Sequence, residues 1–265
     1  MNPARIQFLR DKVTEIALDD DPNASVNPTR ILRGLNVLDV GCGGGLLSES
    51  LTRLGANTLG IDASASNISI ASLHASADPS LNFTSGISSL LPAHTTVHRG
   101  NKAEGKGTLT YTHTSVEELL IERGEGAFDI VCSMEVIEHV DNPRDFLDSC
   151  ARLVKPGGHL LLSTIARTPL AYFLTIFAAE DLLGFVSKGT HTFSKYVNPE
   201  ELEGFFRSYR SQSRPWISGP VAHRLQAETR GIIFVPWNNE WVLTPRGSKW
   251  AEGCNYLFWV RRPLE

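Results

Sequence analysis

The sequence lacks the features that mark several large protein classes. Cysteine is sparse: the four in 265 residues, Cys42, Cys132, Cys150 and Cys254, stand far apart with no C-x-x-C pair and no zinc spacing. Free thiols in a reducing compartment account for them, so neither a disulfide framework nor a structural zinc is expected. No uninterrupted apolar stretch reaches the roughly 18 residues that cross a bilayer, and no secretory signal is present. Basic residues are not in excess, with 25 Lys and Arg against 29 Asp and Glu and a formal net charge of −4. They are also scattered, apart from Arg207, Arg210 and Arg214, and no nucleic-acid partner is expected. There is no internal repeat. What remains is an ordinary globular composition in a chain long for one domain and short for two, read as one domain over 1–265. Met1-Asn2-Pro3 runs straight into a helix-like segment with no room for an organelle address. Either the protein is cytosolic or a targeting segment has been removed ahead of this sequence.

Apolar periodicity orders the chain. Arg5 to Leu18 reads as a helix with Ile6, Leu9, Val13, Ile16 and Ala17 in one stripe. Val37 to Val40 reads as a buried parallel strand closed by Gly41, and Leu46 to Leu54 as a helix capped by Gly55. A second strand runs from Thr58 to Ile61 and ends at Asp62. A helix follows from Ser64 to Ala75, with Ser64 or Ser66 as N-cap. Further strands are expected at Leu109–His113, Phe128–Ser133 and His159–Thr164, with a helix over Arg144–Leu153 and a turn at Lys155-Pro156-Gly157-Gly158. An apolar helix after Pro169 and a helix over Pro199–Phe206 come next. Two β-like segments, around Trp216 and at Tyr256–Val260, are expected to finish the sheet. The alternation predicts an α/β fold with a parallel sheet and helices on both faces. Residues 78–107, rich in Ser, Thr, Gly, Asn and Pro, break the rhythm and read as a flexible insertion.

The strongest chemical signal is Val37-Leu38-Asp39-Val40-Gly41-Cys42-Gly43-Gly44-Gly45, a strand entering a glycine-rich turn and then a helix. Without Cβ atoms the turn lets a ligand lie against the backbone, and the helix N-terminus offers amide donors. Asp62 ends the next strand, where a carboxylate can accept both hydroxyls of a ribose, at the strand ends where such sheets bind ligands. A nicotinamide dinucleotide site also pairs a glycine turn with an acid about 20 residues on. Its G-x-G-x-x-G fingerprint demands glycine at Leu46 or at Ser48, depending on the frame, and fails in both. A nucleoside ligand without pyrophosphate is expected. The second constellation, Cys132-Ser133-Met134-Glu135-Val136-Ile137-Glu138-His139-Val140, follows the fourth strand at the same edge. In a helix, Glu135, Glu138 and His139 would share one face and could hold a hard divalent cation. On spacing alone, an acidic first turn complementing the helix dipole, with His139 incidental, is the slightly better account.

Asp39-Val40-Gly41-Cys42-Gly43-Gly44-Gly45 followed by Asp62 resembles the cofactor motif of class I S-adenosylmethionine methyltransferases. The resemblance implies a Rossmann-like, doubly wound, mostly parallel sheet with an antiparallel terminal strand. It implies a glycine loop on the methionine moiety, Asp62 on the ribose, and Ser115-Val116-Glu117 flanking the adenine. Met134-Glu135-Val136-Ile137-Glu138-His139-Val140, Leu162 to Thr168, Lys188-Gly189-Thr190-His191 and Asn198-Pro199-Glu200-Glu201-Leu202 resemble, more narrowly, the O-methyltransferases of ubiquinone biosynthesis, in particular their mitochondrial members. The likeness runs from about Asn2 to Phe206, and is weak across 78–107 and in the C-terminal segment 219–265. It implies cofactor contacts from Arg5, Gly41, Gly43, Asp62, Val116 and Met134, and a magnesium site at Glu135, Glu138 and His139. It also implies polyprenylated catechol acceptors, partner proteins of the same pathway, and a place on the matrix side of the mitochondrial inner membrane.

A phenol with a pKa near 10 is mostly neutral at physiological pH, so methyl transfer to it needs activation and close alignment. A cation would act as Lewis acid and template, with Glu135 as a catalytic ligand. A neutral histidine, His139 or His191, would instead take the proton. The apolar run from Pro169 to Val186, interrupted at Glu180 and Asp181, is too short to span a bilayer. It suits either a peripheral membrane contact over the substrate mouth or a buried core helix. Methylation of nitrogen or carbon, and a non-catalytic cofactor-binding subunit, are the alternative functions.

Overall fold

The computed structural model describes residues 1–84, 107–175 and 192–264. Helix α1 (Asn2–Asp20) precedes five strands: β1 (Asn36–Val40), β2 (Asn57–Asp62), β3 (Leu109–His113), β4 (Phe128–Met134) and β5 (Val154–Ile165). Helices α2 (Leu46–Arg53), α3 (Ala65–Ala77), α4 (Val116–Arg123) and α5 (Pro143–Leu153) alternate with them, and all four pairings among these strands are parallel. After β5 come the short α6 (Pro169–Ala171), then α7 (Pro199–Ser208), β6 (Arg210–Ser211), β7 (Arg214–Pro215), β8 (Ala227–Val235), β9 (Glu240–Leu243) and β10 (Asn255–Arg261). The main sheet has the order β3-β2-β1-β4-β5-β10-β8-β9, with β10 antiparallel to both neighbours. Chain connections diverge on either side of β1 and β4, so the carboxyl ends of these two strands flank a crevice.

Side-chain alternation along each strand supplies two cores. On one face Leu38, Val40, Val131, Leu160 and Leu162 pack under α4, α5 and α7 through Leu119, Phe146 and Phe206. On the other, Val37, Ile130, Leu161, Leu257 and Trp259 pack under α1 and α2 through Phe8, Leu9, Ile16 and Leu51. Burial on both faces explains why the central strands read as continuous apolar runs.

Two expectations are corrected. Lys155-Pro156-Gly157-Gly158 is not a turn before the fifth strand but part of it. Pairing with β4 slips between Phe128 and Ile130, making a bulge with Gly157 at φ +75°. Trp216 does not join the main sheet; it is buried against Phe206, ring centroids 5.2 Å apart, beside the separate β6–β7 hairpin. Its expected place is taken by the β8–β9 hairpin. Of the 78–107 segment, 85–106 lies outside the described residues, while Leu81 and Phe83 pack against α3 and β3.

One buried charge joins the two ends of the fold. Lys12 on α1 is fully buried. Its Nζ donates to Glu15 Oε2 (2.9 Å), Glu228 Oε2 (3.0 Å) and the carbonyl of Arg224 (2.6 Å), and lies 4.0 Å from the Trp259 ring centroid. Burial pulls its pKa down to about 8, against the pull of Glu228.

Candidate active site

The glycine turn follows from β1 handing directly to α2. Gly41 and Gly43 have φ +71° and +53°, a region that strains any side chain. A Cβ on Gly41 would run into the side chain of Val136, whereas one on Gly43 would project into open space. That space is a cavity of about 410 Å³ at the carboxyl ends of β1, β2, β3 and β4. Its walls include Gly41, Gly43, Asp62, Asn67, Ser115, Val116, Glu117, Glu135, Val136, His139 and Phe146.

Asp62 is held by the turn it serves. Its Oδ2 accepts the Gly43 amide (2.9 Å), and its Oδ1 accepts the Ser64 amide (2.8 Å) and Asn67 Nδ2 (3.2 Å). A carboxylate offers about four acceptor positions, so capacity is left for a ligand in the cavity. The sequence reading missed Asp39, buried behind the turn and accepting a 2.5 Å hydrogen bond from Ser48 Oγ. Burial raises its pKa to about 6, opposed by Ser48. The signal was present, since Asp39 and Ser48 bracket the glycines, but an acid inside an apolar strand was read as part of the run.

The acidic loop differs from its expectation. Residues 135–140 form a turn, not a helix, and Glu135 adopts a left-handed φ of +58°. Its Oε1 accepts from Arg5 (3.1 Å) and from Ser163 Oγ (2.6 Å). Arg5 also reaches Ser163 Oγ at 3.2 Å, while its buried Nε has no hydrogen-bond partner among the described residues. Glu138 points elsewhere: it is buried and accepts from Thr164 Oγ1 (2.9 Å). Successive strand residues project to opposite faces, so Ser163 and Thr164 draw the two carboxylates apart. Burial, then the nearby Glu135, raises the Glu138 pKa to about 8, leaving it mostly protonated at neutral pH. Among the described residues no three His, Cys, Asp or Glu side chains gather to hold a metal ion. The trio Glu135, Glu138 and His139 does not fit a magnesium ion in this arrangement.

The other candidates divide clearly. Gly41, Gly43, Asp62, Val116, Glu135 and His139 meet around one cavity, and Arg5 reaches its rim through Glu135. Met134 instead packs in the core with α1 and is not among the lining residues. His191 lies outside the described residues.

A glycine turn, an acid on the adjacent strand end and this strand order define a nucleoside-binding site of the methyltransferase class. A profile of the methyltransferase domain family matches residues 1–209. The fold recurs in a plantazolicin methyltransferase solved with SAH, with a TM-score of 0.55 at 12% identity, covering 99% of this chain and 86% of that one. Among curated proteins, the ubiquinone biosynthesis O-methyltransferase of Schizosaccharomyces pombe, named mitochondrial, is 40% identical over 100% of this chain and 77% of its own length. The ubiquinone biosynthesis O-methyltransferase of Rhizobium johnstonii is 40% identical over 99% of this chain and 85% of its own. The chain belongs to the family of ubiquinone biosynthesis O-methyltransferases.

Proposed function

We propose that this protein transfers a methyl group from S-adenosylmethionine to a catechol hydroxyl of polyprenylated intermediates in ubiquinone biosynthesis, a dihydroxybenzoate and a demethylubiquinol. The observation that carries the reading is the cradle formed by Gly41, Gly43 and Asp62 around open space. The residues present suit that cofactor. Asp62 retains acceptor capacity for a ribose diol, Val116, Val136 and Phe146 offer apolar walls to an adenine, and the Nε of Arg5, without a partner among the described residues, suits a carboxylate.

When bound, S-adenosylmethionine supplies an electrophilic methyl carbon, transferred in line to the acceptor oxygen as the carbon–sulfur bond breaks and the phenolic proton leaves. The chain must then align that oxygen and receive the proton. Among the described residues His139 is the one histidine lining the cavity, which supports it as the group that accepts the proton at an imidazole nitrogen. Glu135 is committed to Arg5 and Ser163 and acts by positioning Arg5. A divalent cation is the finer part of the reading; it requires Glu135 to leave Arg5 and Glu138 to leave Thr164.

Matrix-side attachment to the mitochondrial inner membrane, in company with other proteins of the pathway, extends the proposal. It is supported by the mitochondrial naming of the fission-yeast relative and by exposed Leu170, Tyr172, Phe173 and Leu174 at the start of the 169–186 run. Residues 176–186 of that run lie outside the described set. Among the described residues no helix is long and apolar enough to cross a membrane.

The test is labelled methyl transfer from S-adenosylmethionine to prenyl catechols and to amines, with wild type, His139→Ala and His191→Ala. Transfer to catechols alone, lost with one histidine, is expected; transfer to amines alone, or none, overturns the reading.

A further inference from the structure

Beside the cofactor cradle lies a second cavity, a groove of about 570 Å³ between α5 and α7. Val140 lines both, so the two meet at the end of the loop that carries His139. The floor of the groove is apolar, with Ile137, Leu147, Leu202 and Phe205. Its rim carries three cations and two carboxylates. Two of the cations are already matched: Arg167 pairs with Glu201 at 3.0 Å and Lys195 with Asp141 at 3.0 Å. Arg144 is exposed, and among the described residues it makes no ion pair or hydrogen bond. It also stands in the first turn of α5, directly after Pro143. A cation there opposes the helix dipole, so local helix stability gives no reason for it.

We infer that this groove receives the acceptor in its carboxylated form, with Arg144 binding the carboxylate of the aromatic acid and the apolar floor taking the first part of the prenyl tail. The inference rests on the proposed catechol methylation and adds a specificity-determining residue to it. The chemistry of the groove favours such a ligand. An apolar floor with one uncompensated guanidinium matches an amphipathic anion, and a planar carboxylate can engage the guanidinium in two parallel hydrogen bonds. The volume lies within the roughly 300–1,000 Å³ of sites for drug-sized ligands, enough for a ring and a short stretch of tail. A neutral quinol gains the apolar contacts but nothing from Arg144. The two acceptors should therefore depend on this residue very differently.

The experiment uses the purified full chain and a matched pair of acceptors: a short-chain prenyl dihydroxybenzoate, and the same prenyl catechol with methyl in place of the carboxylate. In Arg144→Ala, KM for the acid should rise roughly tenfold or more. Its kcat, the KM for the neutral catechol and the calorimetric affinity for S-adenosylmethionine should hold. Arg144→Lys should recover part of the loss, and Arg144→Glu should deepen it for the acid alone. Equal changes for both acceptors, or none for the acid, overturn the inference while leaving catechol methylation standing. If wild type methylates neither catechol, the broader reading falls first.

Discussion

Replacing Glu138 with glutamine should change how stability depends on pH within one narrow window. The carboxyl has a pKa near 8 because it is buried and feels the nearby charge of Glu135; in the unfolded chain it titrates near 4.3. Between these values the native protein holds a proton that the unfolded chain has released. The stabilisation is therefore complete below the lower value and is lost as pH rises through the upper one. Two other shifted groups stop contributing before the window closes. Asp39, raised to about 6, acts in the same direction but only up to that pH. His159, kept neutral by burial with its pKa lowered from 6.5 to about 3, acts in the opposite direction and only below 6.5. Lys12, lowered to about 8, acts above the window. The amino terminus, lowered mainly by burial, opposes within it but is common to both proteins and cancels in their difference. One proton contributes at most about 1.4 kcal/mol per pH unit. Over the 1.5 units from pH 6.5 to 8, where neither Asp39 nor His159 bends the curve of either protein, wild type should lose up to about 2 kcal/mol relative to Glu138→Gln. Urea unfolding at closely spaced pH values measures this, since the amide still accepts from Thr164. Parallel stability curves for the two proteins across that window would refute the reasoning.

Gly43→Ala should leave unfolding within about 1–2 kcal/mol of wild type, because only the backbone conformation is strained. Its Cβ enters the cofactor space, so calorimetric affinity for S-adenosylmethionine should fall at least tenfold. Arg5→Met removes the partner of Glu135 and a cation that lowers the Glu138 pKa. It should weaken cofactor binding by about tenfold or more and move the pH window of Glu138 upward. Chelation of divalent cations should leave cofactor affinity unchanged, as measured by calorimetry with and without EDTA, because among the described residues no three carboxylate, imidazole or thiol side chains gather to hold a metal.

Much of the site was legible because its chemistry is local. Gly41, Gly43 and Asp62 sit within one strand–turn–helix–strand unit, where backbone requirements leave a direct trace in residue type. Val116 came only with the family resemblance, which implies an adenine beside the residues after the third strand. Glu135, Glu138 and His139 do not share the helix face that their spacing suggested, because the segment is a turn. Their positions depend instead on Ser163 and Thr164, some 26 to 28 residues away, and no local pattern reports a partner at that range. The C-terminal hairpin was hidden for a related reason. Glu228 and Arg230 interrupt its apolar alternation, and they are tolerated inside because Lys12, Arg246 and each other's charges satisfy them. Trp216 misled in the opposite direction, since its size suits a strand but its burial comes from stacking on α7.

The anchorage of Lys12 carries a consequence for biosynthesis. The helix that delivers Arg5 to the cofactor rim is fastened by Glu228, the Arg224 carbonyl and Trp259, all near the far end of the chain and all beyond the residues 1–209 matched by the family profile. As it leaves the ribosome, the nascent polypeptide can build its glycine turn early. It cannot fix α1 until β10 has been translated.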